Sequence, residues 1–231
     1  MKTFLPAVLC LAVLMGCGQK LSIPPATHPN TQKWDPLFAP DLSNAVYADT
    51  VWSKTDGILT AEYDENIWTT DDYDNFILDL EFKTADSTNS GVIVYCSDTE
   101  DWIPNSVEIQ IADDFSELWS TADGTWQCAA IFGHLAPIKS AVKKPGEWNR
   151  LTITCLDQMI WVMLNGEMVT EMNMGLWTSG THNPDGTEIP PWLPTPFAEL
   201  PTHGRIGFQG KHADAPIWFR DIKIKTLVNN E

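Results

Sequence analysis

The chain has 231 residues, a formal net charge of −17 and an apolar fraction of 43% that includes eleven Trp. So acidic a chain is a poor match for a nucleic-acid backbone and for charge-driven docking on an anionic bilayer, so nucleic acid is not an expected partner. The apolar content suffices for a large core with aromatic side chains left over for a ligand face, and a neutral ligand such as a sugar is compatible with the charge.

Met1-Lys2 is a short basic start, and the apolar run from Phe4 to Met15 is too short to span a bilayer. Residues 1–16 read as a secretory signal peptide. Its end, Leu14-Met15-Gly16-Cys17, resembles the bacterial lipobox, which predicts cleavage before Cys17 and acylation of Cys17. The expected location is the bacterial cell envelope through a lipid anchor. Gly18-Gln19 lacks the Asp that favours inner-membrane retention, which points to the outer membrane. Residues 17–33 form a tether, with three prolines between Gln19 and Thr31 and the composition of a flexible linker. Residues 34–231 form the domain.

Within the domain the strand-like runs follow at short intervals. Gly57–Ala61 comes first. From Asn75 to Lys83, Phe76, Leu78, Leu80 and Phe82 alternate with Ile77, Asp79 and Glu81. Gly91–Cys96 is a continuous apolar strand. In the next run Val107, Ile109 and Ile111 take one face, while Glu108 and Gln110 take the other. This strand presents a carboxylate and an amide from the middle of a sheet, as the floor of a cleft. Ala129–Gly133 reads as a short apolar strand.

Leu151–Leu156 and Met159–Leu164 read as further strands, and Asn165-Gly166 predicts a type I′ turn into Glu167–Met172. Gly204–Gln209 and Ile217–Lys225 are the last two. In the latter, Ile217 and Phe219 have one parity and Ile222 and Ile224 the other, which a β-bulge near Arg220-Asp221 reconciles. Many short strands without helical periodicity mean an all-β sandwich or barrel. Trp177–His203 is a long Pro-rich loop whose Trp177, Trp192 and Phe197 predict that it packs over one face. Cys96, Cys128 and Cys155 lie in strand-like runs and read as core residues, and no CxxC supports a zinc ribbon.

Several segments together resemble the 3-keto-disaccharide hydrolase domain family. They are Ser90-Gly91-Val92-Ile93, Val107–Ile111, Ala130–Pro137, Lys144–Asn149, Leu164-Asn165-Gly166, Asn183–Thr187, Gly204–His212 and Ile217–Ile222. Their order and spacing match from about Trp34 to Leu227. The resemblance implies a concanavalin A-like jelly roll of two antiparallel sheets, with the concave sheet facing carbohydrate. It also implies cleavage of glycosides already oxidised to a ketone at sugar carbon 3.

A ketone at carbon 3 acidifies the proton on carbon 2. A base removes that proton, the enolate expels the group on carbon 1, and water adds back. This route needs one general base, a stabiliser for the enolate oxygen and an acid for the leaving group. Glu108 or His134 is the expected base. His212, Lys211 and Arg220 are candidates to polarise the ketone or protonate the leaving oxygen. Gln110 and Gln209 would hold hydroxyls, and Trp102 or Trp126 would stack on a sugar face. Family motifs often read Gln-Asp-His-Gly where this chain has Gln209-Gly210-Lys211-His212, so the His falls one position later.

Two other readings share the fold. A carbohydrate-binding module without chemistry would use the aromatics and amides alone. A laminarinase-type endoglycosidase would need a Glu-x-Asp-x-x-Glu strand, where this chain has Glu108, Gln110 and Asp113. Clustered Glu, His and Asp could also hold a divalent metal.

Overall fold

The computed structural model describes residues 26–212 and 214–227. The signal segment, Cys17 and the first part of the tether lie outside the described residues. In chain order the strands are β1 Asp35–Pro36, β2 Ala45–Val46, β3 Trp52–Thr55, β4 Ile58–Ala61, β5 Ile67–Tyr73, β6 Phe76–Thr84 and β7 Asn89–Cys96. They continue with β8 Val107–Ala112, β9 Trp148–Leu156, β10 Met159–Leu164, β11 Glu167–Asn173, β12 Gly204–Phe208 and β13 Ile217–Thr226, and a single-turn helix α1 spans Glu117–Ser120.

The strands form two antiparallel sheets. The larger runs β11-β10-β9-β6-β13-β4-β3, with β1 on β13, and the smaller runs β2-β5-β12-β7-β8. Inward side chains of both sheets make one core. Leu78, Leu80 and Phe82 of β6 and Leu151 and Ile153 of β9 face Val92 and Val94 of β7 and Val107, Ile109 and Ile111 of β8. All are buried, as two facing sheets with period-two side chains require. The architecture is the jelly-roll sandwich.

Local chemistry places the elements where their patterns predict. Asn165 and Gly166 both take positive φ, 51° and 88°, and turn β10 into β11 as a type I′ hairpin needs. In β13 the register against β6 slips between Arg220 and Lys223, with Asp221 at φ 51°, so Ile217, Phe219, Ile222 and Ile224 all reach the core. Cys96, Cys128 and Cys155 are buried free thiols.

Three expectations need correction. Ala129–Gly133 is not a strand, because Ala129 and Gly133 both sit at φ 70° and break the extended run. Nor does β8 lie mid-sheet. It is the edge of the smaller sheet, and the bent segment 129–132 closes that edge with Gln110 N–H to Ala130 O (2.9 Å), Ala129 N–H to Gln110 O (2.8 Å) and Phe132 N–H to Glu108 O (3.0 Å). Finally, the tether is fixed before it reaches the domain. His28 and Pro29 are clamped on the outer face of the larger sheet by Thr152 and Arg150.

Candidate functional site

The outer face of the smaller sheet carries the cleft, opposite the clamped tether. Because Val107, Ile109 and Ile111 point into the core, Glu108 and Gln110 of β8 must point out. The neighbouring strand β7 brings Asn89, Gly91 and Ile93 to the same face, in the register Gly91↔Gln110 and Ile93↔Glu108. Gln209 follows directly after β12, and Ser90 Oγ ties its carbonyl down at 2.8 Å.

Aromatic side chains wall the cleft. Trp102 stands at one end on Trp68 (ring centroids 6.4 Å apart). Trp126 stands at the other, against Phe132 (5.4 Å) and Trp192 (6.2 Å). The cavity holds about 280 Å³ and is bordered further by Trp119, Leu193 and Phe197. Leu193, Trp192 and Phe197 come from the Pro-rich loop, which folds down as expected. Trp177 Nε1 donates to Asn183 Oδ1 (2.8 Å), and Leu193 lies so close to Gly133 that a Cβ there would come within 2.6 Å.

Among the described residues, Glu108 is the one carboxylate that borders this cavity. Its surroundings are apolar, and burial pushes its carboxyl up to about 8. The Gln110 Nε2 donates to Asn89 Oδ1 at 3.1 Å, while the side-chain oxygens of Gln110 and Gln209 are buried without a partner. Both amide side chains border the cavity. His212 enters from the loop after Gln209, and its Nδ1 lies 2.6 Å from Asp64 Oδ2. The pair is half-exposed and borders the cavity through the imidazole.

The structure therefore gathers Glu108, Gln110, Gln209, His212, Trp102 and Trp126, and leaves three expected residues outside. Arg220 is on the outer face of the opposite sheet, where its Nε donates to Glu81 (2.6 Å) and its guanidinium covers the Trp148 ring at 4.0 Å. The parity of β13 forbids any other placement, since Phe219 faces the core. Lys211 donates its backbone N–H to Tyr63 O (3.0 Å) and does not line the cavity. His134 stacks on Phe197 at 3.9 Å behind the cleft wall, donates from Nδ1 to Phe132 O (2.8 Å), and borders a neighbouring hollow instead. Burial lowers its imidazole to about 4.

Sequence reasoning missed Asp64, Asn89, Trp119 and Phe132, and it read Trp192 as a packing residue of the loop without placing it in the cleft. Asn89 and the pairing of β7 with β8 were within reach of period-two reading, but the contact of Asp64 with His212 spans 148 residues and carries no local signal. Among the described residues, no three His, Cys, Asp or Glu side chains converge so as to hold a metal ion.

Residues 32–225 match the 3-keto-alpha-glucoside-1,2-lyase-like domain family. The chain belongs to that family. A candidate glycosyl hydrolase from Parabacteroides distasonis is 62% identical, with a TM-score of 0.83 over 84% of this chain and 100% of its own. A second one from the same organism is 22% identical, with a TM-score of 0.68 over 81% of this chain and 90% of its own, and it shares the fold. So does a Bacillus subtilis protein of galectin-like fold, 14% identical with a TM-score of 0.53 over 84% of this chain and 95% of its own. No curated protein matches the chain.

Proposed function

We propose that this family member is an enzyme that cleaves 3-keto-glycosides, with Glu108 as the general base. The observation that carries the reading is a single carboxyl among the described residues that line a cleft walled by aromatic rings, and burial raises its pKa to about 8. Ordinary glycoside hydrolysis needs two facing carboxylates. Here the second candidate, Asp113, accepts backbone N–H groups of Ser87 (2.9 Å) and Phe115 (3.1 Å) and is buried in that turn. One base is what abstraction next to a ketone requires, and a base matched to neutral pH is efficient.

In this reading Glu108 takes the proton from carbon 2, and the C–H electrons move toward the ketone oxygen as the enolate. The amides of Gln209 and Asn89 border the cleft and are the donors for that oxygen. Return of the electron pair forms the double bond between carbons 1 and 2 and breaks the bond from carbon 1 to the leaving oxygen. His212, oriented by Asp64, gives that oxygen its proton. Water adding at carbon 1, with a proton returned to carbon 2, completes a net hydrolysis. Gln110 holds a hydroxyl, and Trp102 or Trp126 stacks on a ring face.

The N-terminal features extend the proposal. With Cys17 acylated, the protein is held to the envelope at the outer membrane, and the clamp at His28 lies on the sheet opposite the cleft.

The test is aglycone release from a 3-keto-glucoside and from its unoxidised parent, together with exchange of the carbon-2 proton in heavy water. Release and exchange with the keto form alone support the reading. Sugar binding without release or exchange turns it to a carbohydrate-binding module. A Cys17→Ser variant that still takes up labelled palmitate ends the lipid-anchor proposal.

A further inference from the structure

The cleft is one compartment of a longer groove. Beyond Trp102 and His212 lies a second, more open hollow of about 530 Å³ that shares Trp102, Ile103, Gln209 and His212 with the cleft. A third hollow, of about 590 Å³, lies on the far side and shares Trp126 alone. We infer that the hollow beyond His212 is the leaving-group subsite, and that it selects neutral or cationic sugars against anionic ones.

The inference rests on the proposed reaction and follows from where a proton is needed. The glycosidic oxygen lies between the oxidised ring and the leaving group, so the acid that protonates it must stand at the boundary of their two compartments. His212 stands on such a boundary, and among the described residues no titratable group is shared between the cleft and the far hollow. The second hollow also has the makings of a sugar site. Tyr47 and Trp102 supply rings for stacking, and the buried Gln209 side-chain oxygen lacks a partner. Asp64, Glu65 and Glu100 line it, and no Lys or Arg among the described residues does. A uronate leaving group would meet the Glu65 and Glu100 carboxylates of its own sign, and the His212 imidazolium that faces them is already paired with Asp64.

The test compares 3-keto-glucosides that differ only in the leaving group: a neutral hexose, a hexosamine, a hexuronate and methanol. The expected kcat/KM for the uronate is at least about tenfold below that for the neutral hexose at low salt. The double variant Glu65→Gln, Glu100→Gln should narrow that ratio to about twofold. Tyr47→Ala should lower the ratio of disaccharide to methyl glycoside by about tenfold. A uronate-to-hexose ratio that ignores Glu65→Gln, Glu100→Gln, or that responds instead to Asp185→Asn, Glu188→Gln in the far hollow, overturns the assignment. If no keto-glycoside is cleaved, the proposed reaction falls and the subsite is judged by calorimetry with the unoxidised disaccharides. Uronate binding that tightens in the Glu65→Gln, Glu100→Gln protein supports the subsite, and unchanged binding overturns it.

Discussion

Gly91 lies directly against the Glu108 carboxyl: a Cβ at position 91 would come within 2.2 Å of Glu108 Oε1 and 2.8 Å of its Cγ. The absence of a side chain at Gly91 is what lets the carboxyl lie back over the neighbouring strand, under the aromatic walls. Gly91→Ala should keep the fold, because position 91 is in β7 and outside the positive-φ region. It should cost about a hundredfold in kcat/KM by displacing the base. Thermal melts and turnover on a 3-keto-glucoside check both halves.

Glu108 also sets the pH response. Its carboxyl is raised from 4.5 to about 8 by burial, so it is protonated below that pH and active as a base above it. The rate constant kcat/KM should rise with pH up to about 8. The folded protein binds more protons than the unfolded chain between about pH 4.5 and 8, so this group favours the fold at low pH and costs stability as pH rises through that window. Glu108→Gln should abolish turnover and raise Tm by a few degrees at pH 9 while changing it little at pH 4.

The side-chain oxygen of Gln110 is buried with no acceptor role inside the protein. Gln110→Met keeps the shape and removes that oxygen. Sugar affinity should fall about tenfold, the loss of one hydrogen bond, and stability by about 1 kcal/mol, because the variant also removes the Nε2 that donates to Asn89 Oδ1. Calorimetric titration with a disaccharide and a thermal melt measure the two effects.

Arg220 and His212 should separate cleanly. Arg220 joins Glu81 and the Trp148 ring on the far sheet, so Arg220→Ala should cost about 1 kcal/mol of stability and leave kcat/KM within about twofold. His212→Ala should lower kcat about a hundredfold on a poor leaving group and much less on nitrophenolate, which needs no proton. Equal losses on the two leaving groups would remove His212 from the acid role.

His28 gives the tether a pH-sensitive fastening. The Gly166 N–H donates to Nε2 at 2.8 Å, so Nδ1 carries the proton and faces Thr152 Oγ1 at 2.7 Å, while Arg150 reaches Pro29 O at 2.6 Å. Burial, with the nearby Arg150 charge, lowers the imidazole to about 4. The unfolded chain therefore binds the extra proton between about pH 6.5 and 4, so the clamp is at full strength above 6.5 and weakens as pH falls to 4. Limited proteolysis should cut near residue 28 readily at pH 4.5 and slowly at pH 7.5, and His28→Ala should be cut at both.

The alternation of apolar and polar residues determined most of the sandwich. It placed Val107, Ile109 and Ile111 inward and Glu108 and Gln110 outward, and the clash of parity in β13 required the bulge found at Arg220-Asp221. Asn165-Gly166 named its own turn, because positive φ at two successive residues is a local property. What alternation cannot carry is which outward face shares a space with which. Glu108 and Arg220 are both outward residues of their strands, and only the packing of two sheets back to back puts them on opposite sides of the molecule. The same holds for Asp64 with His212 and for His28 with Thr152. These contacts join residues far apart in the chain, and they exist only once the core has fixed both partners. Ala129–Gly133 reads as a strand because its composition is apolar, but the bend that makes it close the β8 edge depends on the edge being there to accept it. Local chemistry set the strands and their faces; the distance between groups on different strands was set by tertiary packing, and with it the cleft.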